Sequence, residues 1–97
     1  MFGAFDDKHF DRAEIKVSST IHVFSVLAER IGRREIEVDT TMPIPAGELL
    51  DILACQYEAV NDLRRVVRLA VNHAYADEDL LVNEGDELAL ITPTSGG

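Results

Sequence analysis

The residues best placed for chemistry close the chain, Ser95-Gly96-Gly97, reached through Pro93 and Thr94. Glycine lacks a Cβ and adopts backbone angles closed to other residues. A Gly-Gly end can thread a narrow channel and present its carboxylate to another protein's active site. Free α-carboxyl groups ionise near pH ~3.5. The ionised group resists nucleophiles until it is activated, most simply as an acyl-adenylate made from ATP. A sulfur or amine nucleophile can then displace AMP. The end therefore reads as a carrier arm, inert at rest and reactive only inside a partner.

Other reactive types give weaker patterns. His9, His22 and His73 fall in different segments, and a metal site needs convergent ligands. Asp77, Glu78 and Asp79 lack the alternating spacing and glycine of a calcium loop and read as a solvated turn. Cys55 falls on the apolar side of a helical pattern, where cysteine is a small core residue. Gly47 in "PAGELL" is isolated and makes no phosphate loop. Arg64, Arg65 and Arg68 form a basic spot, read as a solvated face or a docking patch. The chain does not read as an enzyme on its own.

Composition narrows the setting. The 97 residues suit one domain, and 46% are apolar. No apolar run approaches a membrane span. "MFGAFDDKHFDRAE" carries acids and a lysine where a secretion signal needs a continuous apolar stretch. The lone cysteine excludes an internal disulfide, so a cytoplasmic setting is expected. The net charge of −9 disfavours nucleic acid and anionic membranes and suits a partner with a basic face.

These residues need elements to hold them. Residues 1–14 lack a clean period and read as an extension; 15–92 form the domain; 93–97 form the tail. Ile15, Val17, Ser19, Ile21 and Val23 alternate with polar residues and predict a strand. "LAERIG" predicts a short helical turn stopped by Gly32. "REIEVD" alternates again, with Ile36 and Val38 inward, and completes a hairpin. Pro43 and Pro45 break structure. From Glu48, residues Leu49, Ile52, Leu53, Tyr57 and Val60 follow helical spacing, with no hydroxyl or acid to cap the start. "RLAVN" predicts a strand, "NHAYADED" a tight turn and an edge segment, and "NEGDE" a turn at Gly85. "ELALIT" predicts a central strand buried on both faces. One main helix against one mixed sheet is an α+β roll.

"IHVFSVLAERIG", "ELLDIL", "RLAVNHAYAD" and "NEGDELALITPTSGG" resemble the MoaD/ThiS sulfur carriers, within the ubiquitin-like β-grasp fold. The last stretch resembles the branch that serves as the small subunit of molybdopterin synthase. The resemblance implies that Gly97 is adenylated by a ubiquitin-activating-type enzyme using ATP and converted to a thiocarboxylate by a sulfurtransferase system. The loaded tail then enters the large synthase subunit and gives sulfur to a pterin precursor. Gly96 provides clearance, and Pro93, Thr94 and Ser95 line the entry. No cofactor is bound. Apolar residues on the open sheet face would dock the partners, with Phe24 a candidate, although an aromatic there more ordinarily fills the core. Thr92-Pro93-Thr94 departs from the two prolines and apolar residue more common in the family, which leaves the subgroup open. The same tail suits carriers for thiamine, cysteine or tRNA thiolation. A β-grasp interaction module with incidental glycines is the alternative outside that class.

Overall fold

The computed structural model describes residues 16–93; the extension 1–14, Ile15 and the tail residues Thr94 to Gly97 lie outside them. Alternation builds the first pair of strands. β1 (Lys16–Val23) and β2 (Glu35–Thr41) run antiparallel, with Ile21 opposite Ile36. Ile21, Val23, Ile36 and Val38 are buried, whereas Glu35, Glu37 and Asp39 face water. Between the strands runs α1 (Ser25–Ile31), which buries only Leu27. It ends where expected. Gly32 takes the left-handed conformation at φ 84°, and its N–H donates to the Ala28 carbonyl at 2.8 Å.

The second half contains two strands not foreseen from sequence. β3 (Ile44–Pro45) pairs with β6 (Leu81–Val82) in a separate two-stranded sheet. Two-residue strands are too short to show a period. This small sheet holds the preceding loop over the start of α2 (Ala46–Gln56), which begins two residues before the expected Glu48. Pro45 stands at the cap position without a side-chain bond. Backbone carbonyls replace the missing cap: Ala46 N–H donates to Leu80 O and Gly47 N–H to Glu78 O, both at 2.8 Å. Gly47 is required for this approach. A Cβ there would lie 2.8 Å from Glu78 Oε1 and 3.0 Å from Glu78 Cβ.

The same junction captures a residue read from sequence as a solvated cation. Arg64 Nε donates to Asp51 at 3.0 Å, Nη1 to Glu78 at 3.1 Å and Nη2 to Gly47 O at 3.2 Å. Burial alone would lower its pKa, but the bonds to Glu78 and Asp51 outweigh that and raise it. Glu78 likewise leaves the expected solvated triplet to become a clamp.

α2 stops at Tyr57, whose extended backbone (φ −130°, ψ 115°) divides the expected run to Val60. α3 (Glu58–Asp62) follows as a separate turn, tied to α1 by a 2.7 Å bond from Arg30 to Asp62. Ala46, Leu49, Leu50 and Leu53 are the inward positions of α2. Cys55 lies two residues past Leu53, about 200° further round the helix, and is exposed. The core reading of Cys55 is therefore wrong.

β4 (Arg68–Val71), β5 (Ala74–Tyr75) and β7 (Leu88–Ile91) complete a sheet of order β2-β1-β7-β4-β5. β7 is central, parallel to β1 and antiparallel to β4. The Asn72-His73 turn between β4 and β5 uses two positive φ angles, 53° and 74°. One rung reads Ile36-Ile21-Leu88-Val71 across four strands. These residues, with Val23, Leu69 and Leu90, join Leu49, Leu50 and Leu53 of α2 in one core. A mixed sheet packed on one main helix is the expected α+β roll.

Candidate functional site at the exit of the last strand

The core claims only one face of β7. Leu88 and Leu90 are buried, but Ala89 and Ile91 are half-buried on the other side. The expectation of burial on both faces fails, because among the described residues no helix covers the outer face there. They line a groove of about 540 Å³ with His22, Phe24, Ala70, His73 and Tyr75.

Register explains its shape. Ala89 pairs with His22 on β1 and with Ala70 on β4, and Ala70 pairs with Tyr75 on β5. The rung therefore reads His22-Ala89-Ala70-Tyr75. Two methyl groups make the floor, and larger side chains make the walls. Tyr75 is 60% exposed and Phe24 50% exposed. Phe24 thus belongs to the open face and not to the core. Its position follows from parity: Phe24 continues β1 in extended backbone (φ −133°, ψ 161°) on the same side as His22 and opposite the buried Val23. Directly after it, Ser25 holds φ 55°, a left-handed angle that non-glycine residues adopt at a cost, and the chain turns into α1. Phe24 also borders a second hollow with Ala28, Gly32 and Arg33.

Both histidines at the groove sit beside carboxylates. His22 Nδ1 lies 3.5 Å from Glu35, and His73 Nε2 lies 3.1 Å from Glu87. At the start of β7, Asn72 fixes the ladder. Its side-chain oxygen accepts from Glu87 N–H at 2.9 Å, and its amide nitrogen donates to Asp86 at 3.1 Å. Asp86 in turn accepts from Asn83 N–H at 2.8 Å, which closes the turn around Gly85. The beginning of β7 is therefore locked, and its far end opens toward Pro93, which is exposed.

Of the residues singled out from sequence, the structure brings Phe24 and the root of the tail, Pro93, to one end of the sheet. Thr94, Ser95, Gly96 and Gly97 fall outside the described residues. His22 and His73 meet the same groove but do not converge as metal ligands, and among the described residues no such cluster occurs. Tyr75, Ala70 and Ala89 were missed. The signal was available in the alternation Leu88-Ala89-Leu90, where a small residue marks the outer parity. No helix among the described residues is long and apolar enough to cross a membrane.

The ThiS family matches residues 21–97. The chain belongs to the ThiS family. This ThiS-family chain is 30% identical over 95 residues to the molybdopterin synthase sulfur carrier subunit of Arabidopsis thaliana, covering 94% of this chain and 99% of that one. To the subunit of the same name in Drosophila sechellia it is 43% identical over 82 residues, covering 79% and 90%. The crystal structure of SAMP1 from Haloferax volcanii superposes with a TM-score of 0.69 at 31% identity, over 84% of this chain and 100% of that one. SAMP1 from Methanosarcina acetivorans, at 17% identity and a TM-score of 0.66 over 84% and 98%, shares the fold. The ubiquitin-like β-grasp architecture of the ThiS chain agrees with these neighbours.

Proposed function

We propose that this chain is the sulfur-carrying small subunit of a molybdopterin synthase and acts in molybdenum cofactor biosynthesis. The observation that carries the reading is the family match running through Ser95-Gly96-Gly97, directly after an open groove on the strand that leads there. The named sulfur carriers of plant and fly support the pathway.

The chemistry follows from the carboxylate. An adenylating partner joins the Gly97 carboxylate to the α-phosphate of ATP and releases pyrophosphate. A sulfur nucleophile supplied by a sulfurtransferase displaces AMP, leaving a thiocarboxylate. Inside the large synthase subunit, the sulfur passes to the pterin precursor, and water restores the carboxylate. Gly96 lets the tail pass a constriction that a Cβ would block. Pro93, Thr94 and Ser95 line the entry. Phe24 and Tyr75 grip the large subunit, whose apolar side chain enters over Ala70 and Ala89. The setting is cytoplasmic.

The test is intact-mass measurement after incubation with ATP and the cognate activating enzyme. An AMP adduct on the Gly97 peptide, exchangeable for sulfur, is the expected result. Deleting Gly97 removes the adduct, and Gly96→Val prevents sulfur delivery to the large subunit. Full sulfur delivery by a chain lacking Gly96 and Gly97 overturns the reading. Co-purification with a thiazole synthase in place of the large subunit moves the chain to a thiamine role.

A further inference from the structure

The groove changes character along its length. Phe24 and Ile91 border it at the tail root, and its middle is the Ala89-Ala70 floor. At the β4–β5 turn it ends on Glu87 and His73. Alternate residues of β7 mark these stations, so Glu87 lies about 7 Å from Ala89 and about 14 Å from Ile91 at strand spacing. Among the described residues that line the groove, Glu87 is the only carboxylate, and none is a lysine or arginine. Arg68 stands beside Ile91 on the same face, but the continued β4–β5 register sets Asp77 opposite it. Arg33 and Arg34 border the second hollow, together with Glu29 and Glu35.

Glu87 is held from two sides. Asn72 Oδ1 accepts its N–H at 2.9 Å, and the Asn72 N–H donates to its carbonyl at 2.8 Å. His73 Nε2 lies 3.1 Å from Oε1, which leaves Oε2 without a partner among the described residues. A two-residue turn with both φ angles positive favours Asn-Gly. Here Asn72 and His73 hold 53° and 74°, so a histidine stands where glycine fits best. Its side chain is 80% exposed, and exposed pairs add little stability. The fold gains little from this histidine; what it does is hold a carboxylate at the end of an open groove.

An apolar trough that ends on a carboxylate fits a side chain with an aliphatic stem and a cationic head. Arginine suits it better than lysine, because a guanidinium is flat, weakly hydrated and stacks on aromatic faces, here the exposed ring of Tyr75. The net charge of −9 favours a basic partner surface. We infer that the groove takes an arginine of the large subunit, with its stem over Ala89 and Ala70 and its guanidinium on Glu87. This rests on the sulfur-carrier reading and makes the apolar group above the alanine floor the stem of that arginine. Direction follows from the tail. The large subunit receives it at the Phe24-Ile91 end, so the arginine reaches from there toward the turn. A purely apolar side chain of equal length would desolvate Glu87 without pairing it, so the carboxylate also selects against wrong partners.

The experiment measures binding of the full chain to the recombinant large synthase subunit by calorimetry at low and high salt, with melting of each variant recorded. Glu87→Gln keeps the side chain's shape and removes its charge. It should bind on the order of 10-fold more weakly at low salt, with the gap narrowing at high salt. Glu84→Gln makes the same charge change in the adjoining turn, outside the groove, and should stay within about twofold of wild type. Tyr75→Phe should bind like wild type, and Tyr75→Leu about threefold more weakly. His73→Gly should melt no lower than wild type, since glycine suits the turn, yet bind about threefold more weakly because Glu87 is no longer held. Equal losses in Glu87→Gln and Glu84→Gln reduce the effect to the chain's overall field and overturn the inference. If Glu87→Gln melts lower than wild type, His73→Gly decides, and unchanged affinity there overturns the inference. Wild type that does not bind the large subunit overturns the subunit reading and this inference together. Wild type that binds while Glu87→Gln binds as tightly or tighter shows a purely apolar occupant and overturns this inference alone.

Discussion

Leu88 and Leu90 on one side of β7 are closed into the core, whereas Ala89 and Ile91 on the other border an open groove. The four residues share one backbone, one set of ladder bonds and one pair of neighbouring strands. Only side-chain size and cover differ. Inside, leucines fill the space beneath α2 and contribute by burial. Outside, Ala89 and Ala70 meet at the centre of a sheet, where β-branched or aromatic residues are favoured and alanine is depleted. Neither alanine is there for strand stability. On the proposed function, the local rule is broken where volume stays free for the large subunit. The comparison teaches that one strand can carry the core on one face and leave an open groove on the other, at alternate residues.

The largest effect should come from the inner face. Leu90→Ala leaves a void beneath α2 and should cost about 2–5 kcal/mol in denaturant unfolding. The fraction that remains folded should still bind the large subunit normally, since the groove is untouched. A cost below about 1 kcal/mol would erase the division between faces. Next comes the floor. Ala89→Leu should change stability by no more than about 0.5 kcal/mol, because the added carbons enter open space. It should weaken binding to the large subunit on the order of 10-fold, equivalent to about 1.4 kcal/mol, because the pocket is filled before the partner arrives. Titration by fluorescence or calorimetry checks this, and unaltered affinity would move the docking site elsewhere.

The sequence made the inner face legible because burial imposes a period. Ile21, Val23, Ile36 and Val38 announced two strands, Gly32 and Gly85 announced their turns, and the apolar "ELALIT" announced a central strand. The ThiS resemblance in "NEGDELALITPTSGG" reached the family from the same stretch. What stayed hidden depended on contacts between distant segments. β3 and β6 are two residues each and exist only as a pair. The start of α2 was misplaced because carbonyls of Glu78 and Leu80 do the capping, which no local pattern records. Arg64 looked solvated because Asp51, Glu78 and Gly47 are remote in the chain. Phe24 looked like core because aromatic residues usually are, although it shares the outward parity of His22, and Ser25 turns the chain directly after it.

That turn provides the smallest and most discriminating test. A non-glycine residue at φ 55° stores strain of about 1 kcal/mol. Ser25→Gly releases it but adds about as much flexibility to the unfolded chain, so net stability should move by less than about 0.5 kcal/mol. If Phe24 docks only when the turn is stiff, the variant should bind the large subunit about threefold more weakly, through lost preorganisation. The inner face offers no equivalent, because residues packed under α2 are held by their neighbours and not by one backbone angle. A drop in affinity without a drop in stability would show that the strain at Ser25 serves the outer face alone. A matched drop in both would show that Ser25 belongs to the core's support and that the two faces are coupled through the β1–α1 junction.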